Sequence, residues 1–208
     1  MLLNSAVCRP GGRMSERFIK NYVAQGNDFR SSLVGQSDVI MAVAAAVIQS
    51  IKNGGKLIIF GNGGSAADAQ HISSEFVSGF FSGGVPLPAI ALTTNSSSLT
   101  AIANDSGYEN IFARQLQSLA RKDDVVIGIS TSGSSANVLK ALAAASEIGA
   151  VTVIFSGART KFSPPVSYVI SVSSKESSLV QEAHIAAGHL ICILVGKAFV
   201  KGKKAESP

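Results

Sequence analysis

A histidine and a glutamate four residues apart are the first side chains of this sequence that could do chemistry together. His71 and Glu75 follow a glycine-rich loop, in a stretch whose pattern predicts a helix over residues 66–80. Positions i and i+4 share one face of a helix, so this imidazole and carboxylate could hold one divalent metal ion or form an acid–base pair. Taken alone, such a spacing is more often a plain surface ion pair.

A second polar group interrupts the last apolar stretch of the chain, which predicts a helix over about residues 178–200. It consists of Gln181, Glu182, His184 and His189. A lone histidine on an apolar helix is usually a core residue with satisfied hydrogen bonds. All three histidines of the chain nevertheless fall in these two predicted helices, each near a Glu or Gln. This concentration favours a functional site.

Two loops rich in glycine and serine each connect a predicted buried strand to a helix. We call residues 61–65 the glycine loop and residues 130–135 the serine loop. Backbone N–H groups at helix N-termini bind anions, and ligands of open α/β sheets bind at the carboxyl ends of strands. One serine-rich loop more often only caps a helix. Two on the same sheet edge predict a cradle for a sugar phosphate.

Other phosphate-binding motifs fit less well. Gly61, Gly63 and Ala66 satisfy the loose dinucleotide pattern G-x-G-x-x-G/A. That site also needs an acidic residue at the end of the second strand, where this sequence has Thr and Asn at 93–95. The Gly-Lys-Ser/Thr ending of a nucleotide P-loop is absent. The sequence therefore disfavours NAD and ATP.

Strand-length apolar runs alternate with helical patterns through most of the chain. The runs lack polar alternation, as expected for strands buried on both faces, and lie at 56–60, 89–92, 125–129, 151–155 and 168–172. The helical patterns between the first four are 66–80, 97–103 with 110–120, and 136–148. This order predicts an α/β three-layer sandwich around a five-stranded parallel sheet. Two helices are added before it, 16–33 and 38–52, with Ser37 as N-cap of the second.

Composition excludes several classes of protein. Charged residues make up 15% and hydrophobic residues 46% of the 208 positions, which excludes a disordered chain. No apolar run approaches a membrane span and no secretory signal is present, so we expect a cytoplasmic protein without a membrane partner. The net charge of +5 divides into +3 at residues 1–20, +3 at residues 197–208 and −1 between them. Solvated basic ends, not a nucleic-acid surface, are therefore expected.

The two cysteines, Cys8 and Cys192, form no disulfide framework, and we expect Cys192 to pack in the core.

Four motifs in fixed order carry a family resemblance. They are GNGGSAADAQHISSEF at 61–76, Asn-Asp at 104–105, GISTSGSSANV at 128–138 and QEAHIAAGH at 181–189. With them the sequence resembles the sugar isomerase (SIS) domain family, and within it the bacterial phosphoheptose isomerases, over nearly the whole chain. The resemblance implies the SIS fold and an aldose–ketose isomerase, an intramolecular oxidoreductase. It would convert sedoheptulose 7-phosphate to D-glycero-D-manno-heptose 7-phosphate through an enediol, the first step toward activated heptose for products such as lipopolysaccharide.

The resemblance also implies roles for individual residues. Glu75 and His189 match the catalytic pair. One zinc ion per subunit would be bound by His71, Glu75, Gln181 and His189. Substrate contacts would come from Asn62, Gly63, Gly64, Ser65, Glu75, Asn104, Asp105, Ser130, Thr131, Ser132, Ser135 and Gln181. The family forms homotetramers in which N-terminal helices pack between subunits.

The sequence departs from the family at one point and leaves an alternative function open. Many members carry Arg two residues before the Gln, where this chain has Leu179. We predict a disordered extension at 1–13, one SIS domain at 14–200 (N-terminal helices 14–53, α/β core 56–200) and a basic tail at 201–208. The alternative is a non-catalytic SIS tetramer, either a scaffold for a replication initiator or a sugar-phosphate sensor. The joint presence of Glu75, Gln181 and His189 favours the enzyme.

Overall fold

Five short strands pair in parallel to form one sheet in the computed structural model, which describes residues 13–158, 161–162, 166–174 and 176–200. Their order across the sheet is β2-β1-β3-β4-β5. All five predicted strands are confirmed, with bounds β1 (Leu57–Gly61), β2 (Ala89–Ala91), β3 (Val125–Ser130), β4 (Val151–Ser156) and β5 (Tyr168–Ser171).

The helices are also close to those predicted. They are α1 (Arg13–Ser31), α2 (Ser37–Lys52), α3 (Gly64–Ser78), α4 (Ser96–Ser106), α5 (Ile111–Leu119), α6 (Ala136–Ile148) and α7 (Ser177–Phe199). A short 3-10 turn (Ser32–Gln36) joins α1 to α2, and another (Tyr108–Asn110) joins α4 to α5.

Alternate residues of β1 enter two separate hydrophobic cores. Leu57 and Ile59 pack with residues of α2, α3 and α7, whereas Ile58 and Phe60 pack with residues of α5 and α6. All of β1 is buried, because successive side chains of a strand point to opposite faces and both faces are covered by helices. The three-layer α/β sandwich is therefore confirmed.

The prediction that Ser37 caps α2 is wrong. Ser37 is the first residue of α2, and the residue at the N-cap position, Gln36, makes no side-chain cap. The preceding 3-10 turn runs directly into the helix, and the Val34 carbonyl accepts both the N–H and the hydroxyl of Ser37. A preceding helical turn supplies the acceptor that a cap would otherwise provide.

The ends of the predicted domain plan are only partly described. Residues 1–12 of the predicted extension, with Cys8, and the tail 201–208 lie outside the described residues. Arg13 belongs to α1, which places the last residue of the predicted extension in a helix.

Two helical stretches are long and apolar enough to cross a membrane by length and composition, contrary to our expectation from the sequence. They are Ser15–Lys52 and α7, with 28% and 56% of the relevant windows buried inside the fold. The first stretch combines α1, the 3-10 turn and α2. The apolar character of α7 follows from its place in the core, where it packs between the N-terminal helices and α3.

Candidate active site

The order of strands reverses between β1 and β3. From β1 the chain passes to β2 on one side and then returns to β3 on the other side. The helices that follow these two strands, α3 and α6, lie on opposite faces of the sheet. Such a switch point opens a crevice at the carboxyl ends of the strands, where α/β proteins bind ligands. Both predicted phosphate-binding loops begin there.

The glycine loop needs glycine for two different reasons. Gly63 has a φ of +56°, a conformation that residues with a side chain rarely adopt. A Cβ on Gly61 would lie 2.9 Å from the carbonyl oxygen of Ile129 on the neighbouring strand β3. The loop therefore turns tightly against β3 and leads into the N-terminus of α3, the end of a helix whose dipole attracts an anion.

Hydroxyl groups converge within the serine loop. The Ser130 and Ser135 Oγ atoms are 2.9 Å apart, and Ser132 Oγ accepts the backbone N–H of Ser134 at 3.2 Å. Gly133 makes the turn with a φ of +64°. The carbonyl of Thr131 packs directly against Gly157, which lies beyond the end of β4. The loop is thus folded into a compact cup before the N-terminus of α6.

The predicted sugar-binding residues of α4 lie near its end. Asn104 and Asp105 are exposed, and the Asn104 amide donates to the Asp105 carboxylate at 2.7 Å. The 3-10 turn that follows brings the hydroxyl of Tyr108 to 3.0 Å from Asn62 Oδ1. This hydrogen bond joins the segment after α4 to the glycine loop.

The parallel helices α3 and α7 meet along a seam lined by glycine. Gly188 of α7 lies directly against the Ile72 side chain of α3. One end of the seam has Gly64 at the start of α3, against the amide of Gln181. The absence of side chains at the two glycines lets the helices approach closely. Residues next to this contact on the two helices are therefore brought together.

His71, Glu75 and His189 form one cluster on this seam. The Nε2 atoms of the two histidines are 2.9 Å apart, and His71 Nε2 lies 3.5 Å from Glu75 Oε1. The ligand atoms of all three residues lie within 4.8 Å of one another. The His71 side chain is 47% exposed and that of Glu75 17%, so the cluster is open to a ligand while its carboxylate is largely sheltered.

This cluster fits a zinc ion. Zinc bonds of about 2.0–2.1 Å in a tetrahedral arrangement separate neighbouring donor atoms by about 3.3 Å, close to the two distances found. Two imidazoles and one carboxylate are also the protein ligands of several catalytic zinc sites, which leave a coordination position open. The geometry and the donor chemistry therefore both suit the metal.

Gln181 and Leu179 lie toward the other end of the seam. The Gln181 amide contacts Gly64, which precedes His71 by seven residues, or roughly 10 Å of helix rise. In this conformation the Gln181 side chain lies beside the glycine loop. Leu179 is buried and lies near Gly26 of α1. Leu179 therefore serves packing between α1 and α7.

The third histidine is a core residue. His184 is fully buried, and its Nε2 lies 3.0 Å from the carbonyl oxygen of Ser156 at the end of β4. Burial lowers its pKa to about 4, and the interaction with the Ser156 carbonyl opposes this only in part. The sequence grouped His184 with His189 because both lie on one helix, but the two histidines do not share a site: His184 contacts Ser156, whereas His189 contacts His71.

Burial also perturbs two groups beside the cluster. Burial, reinforced by the negative charge of Glu75, raises the pKa of the Cys192 thiol to about 12. This keeps Cys192 protonated and confirms its predicted place in the core. Burial also raises the pKa of Asp68, and the charge of His71 opposes that shift.

Sequence reasoning missed Asn137 and Tyr108. Asn137, in the first turn of α6, is buried and exchanges two hydrogen bonds with Asn62 across the crevice. Its place just after the serine loop was a usable signal. The position of Tyr108 depends on the path of the 3-10 turn, and no pattern in the sequence predicts that path.

Comparisons with known proteins agree with this geometry. A family model of the SIS domain matches residues 21–157. The chain is 44% identical over 190 residues to a phosphoheptose isomerase of Aneurinibacillus thermoaerophilus, covering 89% of this chain and 96% of that protein. Its fold resembles the solved phosphoheptose isomerases of Neisseria gonorrhoeae (TM-score 0.77, 34% identity, covering 88% of this chain and 99% of that one) and Francisella tularensis (TM-score 0.79, 30% identity, 88% and 98%).

Proposed function

The chain belongs to the phosphoheptose isomerases of the SIS domain family, and from this premise we propose that it converts sedoheptulose 7-phosphate to D-glycero-D-manno-heptose 7-phosphate. The observation that carries the proposal is the meeting of His71, Glu75 and His189 at the seam between α3 and α7. The α3 helix begins at the glycine loop. The acid–base cluster and one of the two substrate-binding loops are thus linked by one rigid helix.

The serine loop binds the phosphate in this proposal. Its hydroxyls (Ser130, Thr131, Ser132 and Ser135) and the N–H groups at the start of α6 supply donors for the anion. The glycine loop, through residues 62–65, and the pair Asn104 and Asp105 hold the sugar, with Gln181 beside Gly64. Binding energy from the phosphate fixes the reacting end of the sugar in place.

Glu75 and His189 move the protons. Glu75 takes the proton next to the carbonyl and returns it to the neighbouring carbon, so that the carbonyl moves between C2 and C1 through an enediol. His189 transfers the proton at the sugar oxygens. Positioned acid–base groups of this kind give about 10²- to 10⁴-fold each. The partial burial of Glu75 strengthens its interaction with the substrate, because water screens it less.

His71, Glu75 and His189 would hold one zinc ion per subunit, with Gln181 as the fourth ligand that the resemblance implies. When bound, zinc supplies positive charge that polarises the carbonyl and stabilises developing negative charge on oxygen. His71 would contribute an imidazole nitrogen to this set, and its ring lies against that of His189 with centroids 5.1 Å apart.

The assembly in this proposal is a homotetramer in the cytoplasm. A groove of about 650 Å³ between the N-terminal helices and α7 includes His189 in its lining. Four large apolar residues of its lining are exposed, namely Val34, Met41, Leu190 and Leu194, and α1 exposes three more, Phe18, Ile19 and Val23. Exposed patches of this kind mark protein contacts. Because the basic excess lies at the chain ends, the proposal includes neither a nucleic-acid nor a membrane partner.

Turnover of sedoheptulose 7-phosphate tests the function directly. We expect the purified protein to interconvert the ketose and aldose phosphates, and to leave unphosphorylated sedoheptulose unchanged because the serine loop has no anion to grip. Binding of the sugar phosphate without turnover would instead support the scaffold or sensor function. Light scattering during size-exclusion chromatography measures whether the particle has four times the chain mass of 21.4 kDa.

A further inference from the structure

A reciprocal pair of amides bridges the crevice between the glycine loop and α6. Asn62 Nδ2 donates to Asn137 Oδ1 at 2.9 Å, and Asn137 Nδ2 donates back to Asn62 Oδ1 at 2.8 Å. The two residues are 75 positions apart in the sequence, and Asn137 is buried. Asn62 is partly buried, and hydrogen bonds away from solvent are shielded from competing water, so this pair ties the glycine loop to the first turn of α6.

Tyr108 adds a third hydrogen bond to the same amide. Its hydroxyl donates to Asn62 Oδ1 at 3.0 Å, while the side chain as a whole stays 60% exposed. An exposed tyrosine hydroxyl would otherwise be satisfied by water. Here it spans from the segment after Asn104 and Asp105 to the glycine loop.

Within the described part of the chain, these three hydrogen bonds leave the Asn62 side chain with one free N–H group. A side-chain amide offers two lone pairs on oxygen and two N–H donors on nitrogen. The oxygen of Asn62 already accepts from Asn137 and Tyr108, and one N–H is given to Asn137. Asn62 can therefore offer a ligand one N–H donor and no acceptor, which suits a phosphate or sugar oxygen.

We propose that Asn137 and Tyr108 are positioning residues that hold the Asn62 amide in the orientation that donates to the sugar phosphate. The proposal rests on the proposed function, because Asn62 is a substrate contact only there. It assigns a role in ligand binding to two residues outside the motif positions matched to the substrate. Neither takes part in proton transfer, so their effect falls on substrate affinity and not on the chemical step.

Replacing Tyr108 with Phe tests this without disturbing the fold. Y108F keeps the exposed ring and removes only the hydroxyl. We expect KM for sedoheptulose 7-phosphate to rise about 2- to 10-fold, the effect of one hydrogen bond, with kcat and the melting temperature unchanged. Y168F is the matched control, because Tyr168 begins β5 at the edge of the sheet away from the crevice. An unchanged KM in Y108F would overturn the proposal.

A double-mutant cycle shows whether Tyr108 acts through Asn62. In an N62A background the Y108F change should have no further effect on the dissociation constant of the sugar phosphate. A persistent effect would mean that Tyr108 contacts the ligand itself, which contradicts a positioning role. N137L should also weaken binding in the wild-type background and lose its effect in N62A. Because Asn137 is buried, N137L is interpreted only with its melting temperature, and Y108F decides if it fails to fold.

Binding measurements separate this proposal from the proposed function. Calorimetric titration with sedoheptulose 7-phosphate and with inorganic phosphate measures dissociation constants. These constants depend on the orientation of Asn62 and do not require turnover. A wild-type protein that binds the sugar phosphate but does not isomerise it would refute the proposed function alone. Equal dissociation constants for wild type and Y108F would refute the positioning role alone.

Discussion

The Nε2 atoms of His71 and His189 lie 2.9 Å apart although 118 positions separate the residues in the sequence. Two neutral imidazoles can share one proton at this distance, and a metal ion can take both nitrogens as ligands. Glu75, one turn beyond His71 on α3, completes the cluster. Proton transfer and metal binding therefore depend on the same three side chains, and separate measurements are needed to distinguish them.

Replacing Glu75 with Gln should abolish isomerisation with little loss of sugar-phosphate binding. The amide cannot accept the proton, so we expect kcat to fall at least 10²-fold, while the loops keep the dissociation constant within a few-fold of wild type. Turnover and calorimetric binding are measured on the same preparation, together with its zinc content. E147Q, on the exposed side of α6, is the control and should retain activity. Retained turnover in E75Q would show that Glu75 is not the base.

Removing the metal should lower activity reversibly. Dialysis against a chelator is expected to reduce turnover, and added zinc to restore it, because His71, Glu75 and His189 place their donor atoms within 4.8 Å. Elemental analysis should find about one zinc per chain in the wild type and much less in H71A. H184Q changes the histidine that lies outside the cluster and should keep its zinc. Full activity in metal-free protein would exclude a role for the metal.

The sequence predicted the sheet correctly because a strand that is buried on both faces has apolar residues at nearly every position. Strands such as Leu57–Gly61 are apolar at nearly every position, and no helix with one exposed face has that pattern. The i, i+4 spacing of His71 and Glu75 similarly predicted their contact, because one helix fixes the geometry.

The partners from α7 were harder to predict because they depend on packing between helices. His184 and His189 are five residues apart, which separates them by about 140° around the helix. Only one of them can therefore face α3, and the sequence alone does not say which. The contact of Gly188 with Ile72 decides it, since it brings His189 to the seam. The same dependence on packing explains why Asn137 was missed as the partner of Asn62.

Adding a methyl group at Gly188 should displace His189 from His71 and Glu75, because Gly188 packs against α3. The new Cβ would overlap the Ile72 side chain, so α3 and α7 must separate or repack, at a cost of about 1–3 kcal/mol in the free energy of unfolding. His71 and His189 are the sequence neighbours of Ile72 and Gly188, so we expect G188A to lose zinc affinity and turnover as well. Urea unfolding, zinc titration and the isomerase assay measure these three effects.

Two further variants make the G188A result specific. G35A is the control, because a Cβ on Gly35 would meet nothing within 4 Å, and it should leave zinc affinity unchanged. I72V removes the terminal methyl that the new Cβ would touch, so the double variant G188A/I72V should recover part of the lost affinity. If G188A alone bound zinc as tightly as the wild type, close packing at this point would not be what positions the histidines.

The buried imidazole of His184 should make the protein sensitive to mild acid. Its pKa is about 4 in the folded protein because burial disfavours the charged form, whereas an unfolded histidine has a pKa of about 6.5. Between these values the unfolded chain binds a proton that the folded protein does not, so stability is retained above about pH 6.5 and lost as the pH falls toward 4. The full difference corresponds to about 3 kcal/mol.

Urea unfolding of wild type and H184Q between pH 7 and pH 4.5 isolates this contribution. Gln does not titrate, and the carboxylates common to both proteins contribute equally to both curves. H184Q should be the less stable protein at pH 7, because it loses the packing of the ring against Phe155 and its contact with the Ser156 carbonyl. It should then lose about 2 kcal/mol less than the wild type on acidification to pH 4.5. Parallel stability curves for the two proteins would show instead that His184 is not held neutral by burial.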